Sequence, residues 1–203
     1  CQDTGIVNVF ISVGMDVQWE ADMDLEGMIN AGVSQGYLNP DNVLRGSVLV
    51  DPDGARTNTK DNTPAVIHTR IVSGDKVEIE IAAKGGGSEA KAKFAMLNPS
   101  DDVVDWVLSV VPTMGAGWCP PGLLGVGIGG TPEKAMLLAK ESLMEPIDMH
   151  ELQARGASDH YEEMRLELFE KVNALGIGAQ CLGGLTTVLE VKVKNYPTHA
   201  ANK

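Results

Sequence analysis

The stretch from Gly117 to Lys134, GWCPPGLLGVGIGGTPEK, limits what this chain can fold into more than any other. Consecutive prolines at 120 and 121 forbid a helix through Cys119 and place it on a stiff turn. The apolar run behind them is short, so Gly125 and Gly127 must lie within a strand, where a missing side chain permits close approach of another backbone. Thr131, Pro132 and Glu133 then read as a helix start: a capping residue, a proline where no N–H is needed, and an acid favoured by the helix dipole. Cysteine, glycine-rich strand and helix start together point to a site or to the scaffold of one.

Gly125, Gly127 and Gly130 formally match the dinucleotide-binding fingerprint, and Glu145 lies about 20 residues past the first of them. That fingerprint needs a strand ahead of its first glycine, and here only Leu123 and Leu124 follow the proline turn. A dinucleotide-binding oxidoreductase domain is therefore an alternative reading, with the Thr131 helix start as its anion site.

A chain of 203 residues suits one domain able to bury a real core. No apolar run approaches the roughly 20 residues that span a bilayer, so a membrane protein is not expected. A net charge of −12 argues against nucleic-acid binding, which needs concentrated Lys and Arg. The three cysteines, at 1, 119 and 181, are an odd, widely spaced set, which fits a reducing, cytoplasmic setting rather than a disulfide scaffold. The start on Cys1, without an initiator Met, reads as that of a fragment or a processed chain.

Periodicity predicts an α+β fold, a mixed sheet with a β-hairpin and flanking helices. Val7, Val9, Ile11 and Val13 alternate as in a half-buried strand, and Asp24 precedes a helical pattern ending at Asn39-Pro40. Residues 47–50 read as a short strand before the turn at 51–54 and a polar loop over 55–63. Residues 65–72 and 76–83, flanking Ser73-Gly74-Asp75, read as the hairpin, and it empties into the triple glycine 85–87. Ser100 is the expected cap of a helix running to Val111 and stopped by Pro112; further helices are expected from Thr131 to about Met144 and from Tyr161 to Leu175, with Gly176 as C-cap. A last strand over 187–194 sets Leu189, Val191 and Val193 against Glu190, Lys192 and Lys194.

Taken singly, Cys119 reads as a small packed residue, Asp3 as a turn or cap residue, Arg45 as a solvated charge and His199 as a tail histidine. Taken in order, CQDTG at 1–5, AKGGGS at 83–88, CPPG at 119–122, IGGTPEKA at 128–135, GIGAQ at 176–180 and PTH at 197–199 resemble the iron-sulfur class I fumarate hydratases over nearly the whole chain. L-tartrate dehydratase alpha subunits share the framework more loosely. The resemblance implies the alpha-type Fe-S hydro-lyase domain over 1–203, truncated at both ends, lacking an N-terminal helical region and the C-terminal beta-type domain or subunit. It implies a 4Fe-4S cluster on three cysteines, two matching Cys1 and Cys119 and the third expected after Lys203. Cys181 stands where glycine is expected, as a small packed residue, and Ala90 stands where relatives often carry Asn.

The implied reaction is reversible hydration of fumarate to (S)-malate, a step of the tricarboxylic acid cycle, with an open iron acting as a Lewis acid. L-tartrate dehydratase and mesaconate hydratase are the alternatives within the family. Residue by residue, the resemblance assigns acid-base work to Asp3 and dicarboxylate contacts to Gln2, Arg45, Gly87 and His199. Arginine's planar fork suits a carboxylate, and a triple glycine lets backbone N–H groups reach a ligand. A homodimer is implied, and the fragment alone is expected to be inactive. A binding module that keeps only the fold is the third reading.

Overall fold

The structure, a computed structural model, describes residues 5–203. It divides into two compact units, one ending at Glu89 and the other Ala90–Lys203. Both mix helix with sheet, as the α+β expectation has it. Among the described residues no helix is long and apolar enough to cross a membrane.

The first unit is organised around β1 (Ile6–Gly14), with α1 (Leu25–Leu38) packed on it. Asp24 caps α1, its carboxylate accepting from the Gly27 N–H at 2.7 Å. Next come the two-residue strands β2 (Leu49–Val50) and β3 (Thr57–Asn58), which pair antiparallel, then β4 (Val66–Val72), β5 (Val77–Lys84) and α2 (Gly86–Ala90). The sheet order is β4-β1-β5, with β4 parallel and β5 antiparallel to β1.

That order corrects the hairpin expected over 65–83, because β1 is inserted between its two arms. Being the most apolar strand, β1 gains by pairing on both edges. Four residues reach across two strand spacings of roughly 4.8 Å each. The connection also caps the end of β1: Gly14 N–H donates to Lys76 O at 2.8 Å and Met15 N–H to Val72 O at 2.8 Å. Nor is β1 half-buried. Val7, Val9, Ile11 and Val13 pack toward Leu25, Ile29 and Val33, while Asn8 and Phe10 on the opposite face are buried too, Phe10 stacking on His68. Along β5 the alternation divides two faces, but Ile79 and Ile81 are exposed, as are the neighbouring glutamates.

In the second unit α3 (Val103–Val110) is capped by Asp102, not Ser100, and its C-terminus tightens into a 3-10 turn that accommodates Pro112. Strand β6 (Gly122–Gly129) leads into α4 (Pro132–Ser142), followed by α5 (Met149–Arg155), unforeseen from the sequence, and α6 (His160–Ala174). Strand β7 (Val188–Tyr196) closes the unit, parallel to β6. Val104, Val107, Leu152, Leu168, Val172 and Val191 form the centre of the core.

The polar set of β7 does not face water. Glu190 and Lys192 are buried with Arg165 of α6. Arg165 pairs with Asp148 and, at 3.1 Å, with Glu190; Lys192 reaches Asp148 at 2.6 Å. Glu190 Oε2 also accepts from the N–H groups of Asp148 and Met149, at 2.8 and 2.9 Å, and so caps α5 from across the sheet. Burial opposes ionisation of Asp148, but hydrogen bonds and charge from Arg165 and Lys192 outweigh it and hold the carboxyl below its ordinary range.

Truncating one partner of such a group strands the others, so Arg165→Met should lower the unfolding free energy by about 3–5 kcal/mol in urea titration. A loss below about 1 kcal/mol would show the cluster to be as weak as surface pairs. Because the Asp148 carboxyl is depressed on folding, its contribution is complete above its unfolded value of about 3.9 and is lost as pH falls through its lower folded value. Stability of the wild type should therefore decline more steeply than that of Asp148→Asn below about pH 4.

Candidate active site

Of the residues assigned to chemistry, Cys1, Gln2 and Asp3 lie outside the described residues. The chain is described from Gly5, whose φ is +51° and whose position is closed to any side chain: a Cβ there would sit 1.9 Å from Lys84 O. The end of the CQDTG motif is thus pressed onto the start of the triple-glycine motif. Gly87 sits in the first turn of α2, where Ser88 Oγ donates to Gly85 O at 3.0 Å.

Arg45 is exposed, just ahead of a segment fixed by two asparagines. Asn58 Nδ2 donates to Gly46 O at 2.9 Å, and Asn62 Oδ1 accepts from the Ser47 and Val48 N–H groups at 2.7 and 3.1 Å. Asn62 is fully buried, and its Nδ2 donates to Gly5 O at 2.8 Å. Reading the sequence placed it in an undifferentiated polar loop; the signal was the density of Asp, Asn and Lys from Asp51 to Asn62, several of which adopt positive φ.

In the second unit Cys119 ends a 3-10 turn in the left-handed conformation, φ +60°, with its thiol exposed and unbonded to other cysteines. Its contact is long, Sγ to Gly117 O at 3.8 Å. Trp118 beside it is buried and packs on Gly122, and its indole Nε1 has no hydrogen-bond partner among the described residues. The GIGAQ motif braces the same turn, since Gln180 N–H donates to Pro120 O at 2.8 Å. Cys181 follows in a surface turn and is exposed, not packed, because its glycine-rich loop lies outside the core.

His199 is elsewhere. Thr198 Oγ1 donates to Gly130 O at 3.0 Å, beyond the end of β6, and His199 Nδ1 accepts from Ala201 N–H at 3.1 Å. Cys119 precedes the start of the same strand, which is about 23 Å long at 3.3 Å per residue. The unit does not bring these two residues together.

The glycines of β6 serve helix packing. A Cβ at Gly125 would lie 2.2 Å from Ala139 O and one at Gly127 would lie 2.0 Å from Ala135 O, so α4 lies directly on the strand backbone. At the start of α4 hydrogen bonds from its own N–H and from the Thr131 hydroxyl hold the Glu133 carboxyl below its ordinary range, which sets a negative charge at the helix end where a phosphate would have to bind. The dinucleotide reading has no support in this geometry.

The model of the family Fumarate hydratase (Fumerase) matches residues 1–203. The chain belongs to that family. Among curated fumarase-family relatives, a protein of Methanocaldococcus jannaschii provisionally named L(+)-tartrate dehydratase subunit alpha is 35% identical over 209 residues, covering 100% of this chain and 70% of its own length. The L(+)-tartrate dehydratase alpha subunits of Escherichia coli O157:H7 and K12 are each 29% identical over 202 residues, covering 98% of this chain and 64% of theirs. The chain thus spans about two thirds of the length of these relatives.

Donor chemistry suits a fumarase-family cluster in part. Cys119 offers an exposed, unshared thiol, the ligand type that iron-sulfur clusters take. Among the described residues no three His, Cys, Asp or Glu side chains converge on a metal position, so Cys119 alone does not hold one.

The packing claim is open to test. Gly127→Ala forces α4 off β6 and should cost about 1–3 kcal/mol of stability. An unchanged denaturation midpoint would mean the strand and helix are not in contact.

Proposed function

We propose that this protein is the cluster-binding part of an iron-sulfur hydro-lyase that adds or removes water at adjacent carbons of a four-carbon dicarboxylate. The family match running unbroken over all 203 residues carries the reading, and it supports taking both units as parts of one alpha-type domain. In support, the turn that presents Cys119 is braced by the Trp118–Gly122 packing and by Gln180, and leaves its thiol open. The cluster would be held by Cys119 together with Cys1 and a cysteine expected beyond Lys203, and when bound it supplies a Lewis acid for the departing hydroxyl. Asp3 moves the proton at the neighbouring carbon, and Arg45 and Gln2 bind carboxylate, with Gly87 offering a backbone contact. His199 as a substrate contact rests on the motif resemblance alone.

Tartrate is the substrate we favour over fumarate, since the alpha-subunit relatives named above carry it in their names. Loss of water from tartrate gives the enol of oxaloacetate, which tautomerises without further catalysis. Fumarate hydration is the second reading, carried by the family's own name. A beta-type domain or subunit completes the site, as the alpha designation of the relatives implies.

The experiment is an anaerobic assay of the full-length protein with its completing domain or subunit, comparing L(+)-tartrate with (S)-malate and fumarate. A site built to bind the second hydroxyl should prefer tartrate by about 100-fold or more in kcat/KM. Equal or greater turnover of malate and fumarate would return the reading to fumarate hydratase, and turnover of neither would remove the hydro-lyase assignment.

A further inference from the structure

Asn62 joins two segments that are distant in sequence and both assigned to substrate. It is fully buried, and it adopts φ +62°, which Asn, Asp and Gly tolerate best. Its carbonyl oxygen accepts from Ser47 and Val48, two and three residues after Arg45, while its amide nitrogen donates to Gly5 O, immediately after CQDT. Gly5 is in turn pressed against Lys84 O, at the threshold of the triple glycine. One side chain therefore joins Gly5 to the backbone just past Arg45. A loop residue needed only for solubility or turn formation would not be buried with both ends of its amide committed to separate strands of chain.

We infer that Asn62 is a positioning residue that ties Gly5, the last residue of the CQDTG motif, to the segment that follows Arg45, and that turnover depends on this tie, an inference that rests on the hydro-lyase reading. Its two ends are separable. Asn62→Asp keeps the acceptor toward Ser47 and Val48 and the tolerance for positive φ, but at neutral pH sets a carboxylate against Gly5 O in place of a donor. Asn62→Gly keeps the backbone conformation and removes both links. The acid-base side belongs to the chemical step and the clamp to binding, so the variants should divide between kcat and KM.

The test uses the full-length, cluster-loaded protein with its completing domain or subunit. Asn62→Asp should lower kcat roughly 10–100-fold, the size expected from an angstrom-scale misplacement, with KM close to wild type. Asn62→Gly should lower kcat similarly and raise KM as well. Hydrogen exchange should quicken at Ile6 in both variants, and at Ser47 and Val48 in the glycine variant alone. Val33→Ala, which loosens the core of the same unit without touching these bonds, should leave both kinetic constants unchanged. Wild-type constants in the Asn62 variants, exchange changes confined to residues 47 and 48, or the same kinetic losses in Val33→Ala would overturn the inference. A wild-type protein without hydro-lyase turnover strikes down the activity reading, whereas the exchange arm still decides whether Asn62 ties Gly5 to residues 47 and 48.

Discussion

Backbone meeting backbone, where a Cβ would not fit, is the constraint on which both units depend. In the first, Gly5 lets the chain enter β1 hard against Lys84 O. In the second, Gly125 and Gly127 let α4 lie on β6 close enough for carbonyl oxygens of the helix to touch the strand. Each contact has a motif beside it: CQDTG and the triple glycine at the first, CPPG and IGGT at the two ends of the strand in the second. Close approach is what allows short, stiff segments to present chemistry without long side chains to brace them. The buried Asn62 adds a polar connection that such packing cannot supply, tying the Arg45 segment to Gly5 by hydrogen bonds.

The second unit also holds charge in its interior. Asp148, Arg165, Glu190 and Lys192 satisfy one another and cap α5, so β7 carries ionic residues on a face where its alternation suggested water. Ion groups of this kind contribute little net stability over apolar packing, yet breaking one is costly. They join β7 to α6 and to the start of α5, in the same unit as β6 and the Cys119 turn.

Where the sequence was legible, local physics decided the outcome. The Asp24 cap, the Asn39-Pro40 stop, the Thr131-Pro132 helix start and the glycines within β6 all follow from steric and capping rules acting over a few residues. The misreadings came from partners far along the chain. Ser73-Gly74-Asp75 has every property of a hairpin turn, and only the pairing of β1 on both edges reveals that the arms are parted. Glu190 and Lys192 read as solvated until Arg165 and Asp148 are placed beside them. Asn62 looked like any polar loop residue, because burial of a loop side chain leaves no periodic trace. Of the candidate site, motif order pointed to Cys119 and the family, whereas the separation of His199 from Cys119 along β6 emerged only from topology.

The central claim is that Cys119 is a cluster ligand of a hydro-lyase. It is tested most directly by anaerobic reconstitution of the full-length protein with iron and sulfide, wild type beside Cys119→Ser, followed by paramagnetic resonance and by iron and sulfide analysis. The account predicts a four-iron cluster in the wild type that the serine variant fails to retain. A wild type that assembles no cluster, or a Cys119→Ser protein that keeps one with the same spectrum, would contradict it.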